Sequence, residues 1–91
     1  MCFQYLFSMK WKKKREPLDA QDQLKKLGIR LRQLRLKKGF TNMDIFAYEH
    51  GFSRAQYGRY ETGKDLQFTT LIRLVNCFEM DLDEFFSEGF D

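Results

Sequence analysis

The chain has 91 residues, of which 43% are hydrophobic and 32% are charged. This length makes one small domain, and ten Phe and four Tyr are enough for a single core, which argues against disorder. The single Pro and the scarcity of turn clusters favour helices over a many-stranded sheet. The composition therefore predicts a compact all-α domain.

The net charge of +3 conceals an uneven distribution along the chain. Residues 1–39 hold twelve Lys or Arg against three acidic residues, a net charge of +9. Residues 40–91 hold four against ten, a net charge of −6. A basic flank of this kind can meet a polyanion, although an ordinary solvated helix face explains the charge equally well.

Cysteine and histidine usage argues against several kinds of site. Cys2 and Cys77, with no CxxC pair or Cys/His cluster, indicate neither a disulfide framework nor a structural zinc. No run approaches membrane-spanning length, and no catalytic constellation or phosphate-cradling glycine loop occurs at a useful spacing. We therefore expect a cytoplasmic protein that is not an enzyme and uses no metal or cofactor.

Residues 1–18 differ from the rest of the chain. An apolar run comes first and basic residues follow it, namely Lys10, Lys12, Lys13, Lys14 and Arg15. This order is the reverse of a secretory signal, in which the charges precede the apolar part. We expect a basic N-terminal arm, either mobile or forming a short extra helix, and Met9 is a second candidate for the natural start.

From Asp19 onward, hydrophobic residues recur at helical spacing. A leucine stripe predicts a first helix over about 20–38, which begins at an Asp19 cap and ends at Gly39. A second helix of about two turns, over 43–49, follows either Thr41 or Asn42 as its cap. The inward residues of these two helices are Leu24, Leu27, Leu31, Leu34, Phe46 and Ala47.

Three further helices complete a domain over 19–91. Gly51 breaks the second helix, and Ser53 caps a third over about 54–62, which ends at Gly63. A fourth helix is predicted over about 69–79, and Asp81 caps a short fifth one. The apolar residues of these last two helices are Leu71, Leu74, Val75, Phe78, Leu82, Phe85 and Phe86.

The third helix carries the functional hypothesis. At about 100° per residue, Tyr57, Tyr60 and Glu61 share one face and would pack inward. The opposite face carries Arg54, Ala55, Gly58, Arg59 and Thr62. Small residues there would let the helix approach base edges in a DNA major groove, where arginine contacts guanine. The alternative is that Gly58 relieves crowding beneath a neighbouring helix and the arginines are solvated.

Two polar residues within this pattern need partners. Glu61 falls on the buried face, where an unpaired charge is costly. Arg35, at the end of the first helix, is the best candidate for a bidentate partner, unless Glu61 lies at the edge of the domain and is hydrated. We interpret the lone His50 as a hydrogen-bonded edge residue and not as a ligand.

Segment 27–86 resembles the Cro and lambda-repressor type of helix-turn-helix domain, known as the XRE family. The family's first helix is similar to LGIRLRQLRLKKGF, its recognition helix to SRAQYGRYETGK, and its fourth and fifth helices to TLIRLVNCFEMDLDEFF. Ala47 and Gly51 match the small residue of helix 2 and the turn glycine. The chain also departs from the family pattern. The spacing from Gly39 to Ala47 is one residue longer than usual, and Tyr57 and Tyr60 replace aliphatic core residues of the recognition helix.

The resemblance implies a five-helix lambda-repressor-like fold with its helix-turn-helix unit at 43–62. It also implies a transcriptional regulator that binds double-stranded DNA sequence-specifically as a homodimer, acts at the nucleoid, and pairs Arg35 with Glu61. Asn42 or Met43 lies where the family touches the DNA backbone. The full predicted DNA-binding set is Asn42, Met43, Ser53, Arg54, Ala55, Gly58, Arg59, Thr62 and Lys64.

A second hypothesis uses the same fold for protein interaction. The chain would be the antitoxin half of a toxin–antitoxin pair, and its aromatic N-terminal arm would fold on a protein partner. Under either hypothesis, the apolar residues Phe85, Phe86 and Phe90 form a homodimer surface or complete the core.

Overall fold

The computed structural model describes residues 17–90, which form five α-helices and no strand. The helices are α1 (Ala20–Lys37), α2 (Met43–Glu49), α3 (Arg54–Glu61), α4 (Phe68–Cys77) and α5 (Leu82–Phe85). The predicted all-α class is therefore confirmed for the described residues. The arm lysines, the alternative start at Met9, and Cys2 lie outside them.

Four of the five helices begin at a residue whose side chain caps the first turn. Asp19 accepts a hydrogen bond from the amide of Asp22, and Ser53 accepts one from that of Gln56. For α2 the cap is Asn42 and not Thr41, because the Asn42 side chain accepts from two amides of the first turn. These bonds satisfy amides that have no partner within the helix.

The helix ends differ slightly from the predicted ones. Both α1 and α3 end one residue earlier than predicted, each followed by a glycine with positive φ, at Gly39 and Gly63. In α4 the last helical residue is Cys77, two residues earlier than predicted. The physical reason is Glu79, whose φ of 58° is left-handed and cannot continue a right-handed helix.

One fully buried large side chain from each helix meets in the core. These side chains are Leu31, Phe46, Tyr57, Leu74 and Phe85. The Phe46 ring lies at the centre, 4.9 Å from the Tyr57 ring and stacked on Phe78 at 5.4 Å. Since Phe85 is fully buried, it completes the core and cannot belong to a dimer surface, whereas Phe86 remains 41% exposed.

The backbones of α1 and α3 approach each other closely at Gly28. A Cβ atom at this position would overlap the carbonyl oxygen of Glu61 and lie 2.8 Å from its carbonyl carbon. Neither backbone can move aside without separating the two helices. A glycine at position 28 therefore allows the C-terminal end of α3 to pack directly on α1.

Arg30 joins α1 to the C-terminal end of α5. Its side chain is buried, and its Nε donates to the carbonyl oxygen of Phe85 at 2.7 Å while Nη2 donates to that of Glu84 at 3.1 Å. Its Nη1 also lies 3.5 Å from the carboxylate of Glu88. A cation is well placed at the end of a helix, where carbonyl groups lack intrahelical partners.

Candidate nucleic-acid interface

A tight turn joins α2 to α3. Gly51 adopts a φ of 79°, and the amide of Phe52 donates to the carbonyl oxygen of Ala47 at 2.9 Å. The Phe52 side chain is buried, and the Arg73 guanidinium lies 4.2 Å from the centre of its ring. The half-buried His50 has Nδ1 2.8 Å from the carbonyl oxygen of Phe46, in keeping with a hydrogen-bonded edge residue. The turn thus fixes α3 relative to α2.

The side chains of α3 divide into a buried and an exposed face. Tyr57 and Tyr60 are buried in the core, whereas Arg54, Ala55 and Arg59 are exposed. The Tyr60 hydroxyl accepts a hydrogen bond from Gln56 Nε2 at 2.8 Å. The division follows the predicted helical phase, so the arginine-bearing face points away from the core.

Gly58 departs from the predicted outward position. It is half-buried at the contact between α2 and α3, and a Cβ built on it would lie 3.4 Å from the sulfur of Met43. Met43 is itself half-buried. Gly58 therefore helps α2 and α3 to pack together, in line with the crowding alternative, and contributes less open surface than its helical position predicts.

An ion pair fixes the C-terminal end of α3 to α1. Arg35 Nε donates to Glu61 Oε2 at 2.7 Å and Arg35 Nη2 donates to Glu61 Oε1 at 3.2 Å, the bidentate geometry expected for this pair. The two side chains are only 5% and 6% exposed, so Glu61 is not a hydrated edge residue. The hydrogen bond to Glu61 raises the pKa of Arg35, which is charged at every pH of interest. Arg35 Nη1 also donates to the carbonyl oxygen of Phe40 at 2.7 Å.

The Tyr57 hydroxyl is buried among the same residues. It forms no hydrogen bond within residues 17–90. Burial, and after it the neighbouring Glu61 carboxylate, raises the pKa of this hydroxyl well above its ordinary value. Tyr57 is therefore a neutral core residue whose ring packs and whose hydroxyl is left unsatisfied.

The cationic groups near α3 are of two kinds. Arg59 is exposed, and its side chain forms no ion pair or hydrogen bond with any part of the chain that the structure describes. Arg54 is also exposed, but its Nε donates to Asp44 Oδ1 on α2 at 2.5 Å. Asp44 was not among the predicted site residues, because its proximity to Arg54 depends on the angle between two helices.

A further basic residue lies beside the segment that follows α3. Gly63 packs against α1, where a Cβ built on it would lie 3.4 Å from the Cα of Lys25. Both Lys25 and the predicted site residue Lys64 are exposed. Lys25 was not among the predicted site residues, because only the packing of this loop on α1 brings it near Lys64.

Most of the predicted DNA-binding set lies on the surface. The exposed members are Asn42, Ser53, Arg54, Ala55, Arg59, Thr62 and Lys64, while Met43 and Gly58 are half-buried. Asn42 and Ser53 use their side-chain oxygens to cap α2 and α3, which leaves the Asn42 amide group as a donor for a partner. The set thus surrounds the turn and the outward face of α3.

No protein-family model and no curated protein sequence matches this chain. Within residues 17–90, no cluster of His, Cys, Asp or Glu is placed to hold a metal ion. The same residues include no helix long and apolar enough to cross a membrane. The candidate functional surface is the face of α3 on which Arg54, Ala55 and Arg59 are exposed.

Proposed function

We propose that the protein is a transcriptional regulator that binds double-stranded DNA sequence-specifically, with α3 as its recognition helix. The proposal includes a lambda-repressor-like arrangement of the five helices and action at the nucleoid. The observation that carries it is the division of α3, whose tyrosines are buried while Arg54, Ala55 and Arg59 are exposed.

The dimensions and chemistry of α3 suit the major groove. An α-helix with its side chains is about 10–12 Å across, and the groove is about 12 Å wide. The small side chain of Ala55 lets the helix backbone approach base edges, and each arginine presents a planar fork that fits the two acceptors of guanine. These features support reading of bases and not only attraction to phosphates.

Phosphate contacts would come from the basic residues beside α3. Lys64 and Lys25 are exposed next to the segment that leaves the helix. Neutralising phosphates releases counterions, so affinity should fall steeply with salt while α3 chooses the sequence. A homodimer would place two recognition helices about 34 Å apart, one turn of DNA. Phe86 is the exposed member of the predicted dimer surface.

Replacing Arg59 with Ala tests this function. A preferred site is first selected from a duplex library with a randomised centre. We expect Arg59→Ala to weaken binding to that site by about 5- to 150-fold, the value of one bidentate arginine–guanine contact, and binding to random DNA much less. Arg32→Ala is the matched control, because it removes an exposed arginine from the side of α1 that faces away from the core.

The possible outcomes separate specific recognition from simple charge attraction. Equal losses on selected and random DNA would make Arg59 a phosphate contact only. A protein that binds no duplex at low salt would contradict the proposed function itself.

Exposed apolar residues on α2 favour a second candidate, a protein partner. Ile45 is 49% exposed and Tyr48 is 85% exposed, on the side of α2 away from Phe46. An antitoxin of a toxin–antitoxin pair would use such residues, together with the N-terminal arm, to bind a second protein. A stoichiometric small protein that copurifies with the native chain, and is lost on Tyr48→Ser, would support this candidate.

A further inference from the structure

We propose that Asp44 is a positioning residue, which holds Arg54 for contact with guanine and so determines the base preference at one position of the DNA site. The inference rests on the proposed function and deepens it. A negative charge on a surface that faces a polyanion weakens binding. The inference therefore gives the acidic Asp44 a role in specificity and not in affinity.

The contact between the two residues joins the two helices of the unit. Arg54 Nε donates to Asp44 Oδ1 at 2.5 Å, from the first residue of α3 to the first turn of α2. Asp44 is itself fixed, because its amide donates to the capping Asn42 Oδ1 at 2.7 Å. The Arg54 side chain therefore has an anchor at a defined point on α2.

Stability does not account for this contact. The side chains of Arg54 and Asp44 are 68% and 60% exposed, and ion pairs this open add little to folding. Both residues can therefore be replaced without unfolding the domain. An exposed pair that spans the turn of a proposed DNA-binding unit is better explained by the orientation it gives to the arginine.

The geometry leaves the useful end of the arginine free. Only Nε is bonded to Asp44, and within residues 17–90 the two terminal nitrogens form no hydrogen bond. These nitrogens lie in the guanidinium plane and can donate together to O6 and N7 of guanine. Immobilising a long side chain on binding lowers affinity by about 2- to 12-fold, and a side chain already held by Asp44 avoids much of that loss.

The negative charge has a second effect on selectivity. Without Asp44, the positive charge of Arg54 would no longer be offset by this neighbouring carboxylate, and Arg54 could pair with any phosphate, whatever the sequence. With Asp44 beside it, the net attraction to phosphates is reduced while the directional donors remain. Asp44 should therefore lower affinity for random DNA and raise the preference for guanine.

The experiment compares Asp44→Ala with Glu49→Ala. Glu49 is an exposed carboxylate on the same helix with no ion pair among the described residues, so its removal controls for charge alone. The probe is a duplex library with a randomised centre. The position that Arg54 reads is defined as the one whose guanine preference is lost in Arg54→Lys, which keeps the charge and removes the fork.

We expect Asp44→Ala to reduce the guanine preference at that position by about 2- to 12-fold, with affinity for random duplex unchanged or increased. Glu49→Ala should leave the preference as in the wild type. In an Arg54→Ala background, Asp44→Ala should have no further effect on the preference, since the role of Asp44 passes through Arg54.

Three results would overturn the inference. The first is a guanine preference that is the same in Asp44→Ala as in Glu49→Ala. The second is an effect of Asp44→Ala on the guanine preference that is as large in the Arg54→Ala background as in the wild type. The third is a guanine preference that Arg54→Lys leaves intact at every position. In each case the wild type still selects a sequence, so the proposed function stands. If the wild type enriches no sequence, the proposed function fails as well.

Discussion

Replacing Glu61 with Ala leaves the Arg35 guanidinium buried without its carboxylate. Removing one partner of a buried ion pair costs about 3–5 kcal/mol, because the remaining charge stays out of water. Arg35 keeps its hydrogen bond to the Phe40 carbonyl oxygen, so we expect the lower end, about 3 kcal/mol. A domain of this size has a total stability of about 4–11 kcal/mol, so the variant should lose between about a quarter and three quarters of it.

Urea unfolding followed by far-UV circular dichroism measures this loss. With a urea dependence of about 1–3 kcal/mol per molar, the midpoint should fall by about 1–3 M. Glu49→Ala removes an exposed carboxylate and should stay within about 0.5 kcal/mol of the wild type. The double replacement of Arg35 and Glu61 by Met should be more stable than Glu61→Ala, because it leaves no buried charge. A midpoint for Glu61→Ala equal to that of Glu49→Ala would show that the pair does not hold α3 on α1.

Three further predictions concern α3 and its packing in the core. Gly28→Ala should lower the free energy of unfolding by at least about 1–3 kcal/mol, because the new Cβ meets the Glu61 backbone. Ile29→Ala, at the exposed neighbouring position, is the control and should cost much less. Equal urea midpoints for the two variants would contradict the close approach of the helices. Tyr57→Phe should leave the free energy of unfolding at neutral pH unchanged or raise it, because the hydroxyl that it removes is buried without a partner. If this variant lowers the free energy of unfolding by more than about 1 kcal/mol, the hydroxyl is hydrogen-bonded. The pKa of Tyr57 is raised in the folded state, so the stability of the wild type should stay constant below about pH 10 and fall above it. This fall should be steeper than in Tyr57→Phe by up to about 1.4 kcal/mol per pH unit. If stability falls equally with pH in the two proteins, the pKa of Tyr57 is not raised.

Much of the helical pattern could be predicted because it depends on neighbours along the chain. The spacing of Leu27, Leu31 and Leu34 defines one face of α1, and Ser53 caps α3 through a bond three residues ahead. The Arg35–Glu61 pair could be anticipated because a carboxylate on a buried helical face requires a cation. Helix ends were less certain, since the positive φ of Glu79 has no clear signal in the sequence.

The features that could not be predicted depend on how helices cross. Gly28 reads as an ordinary glycine within a helix until α3 is seen to pack on it. Arg30 reads as one more surface cation, yet it is buried against the carbonyl groups at the end of α5. Asp44 reads as a helix-start acid, and only the placement of α3 reveals its contact with Arg54.

An NMR titration of the labelled protein with a selected duplex tests the placement of α3 most directly. If α3 enters the major groove, amide shifts should concentrate in the turn and on the outward face, at Ser53, Arg54, Ala55 and Arg59, and an equal amount of unselected duplex should change them less. The amides around Phe86 should move little by comparison. Shifts centred on α5, or none on α3 at saturation, would contradict the proposed mode of binding.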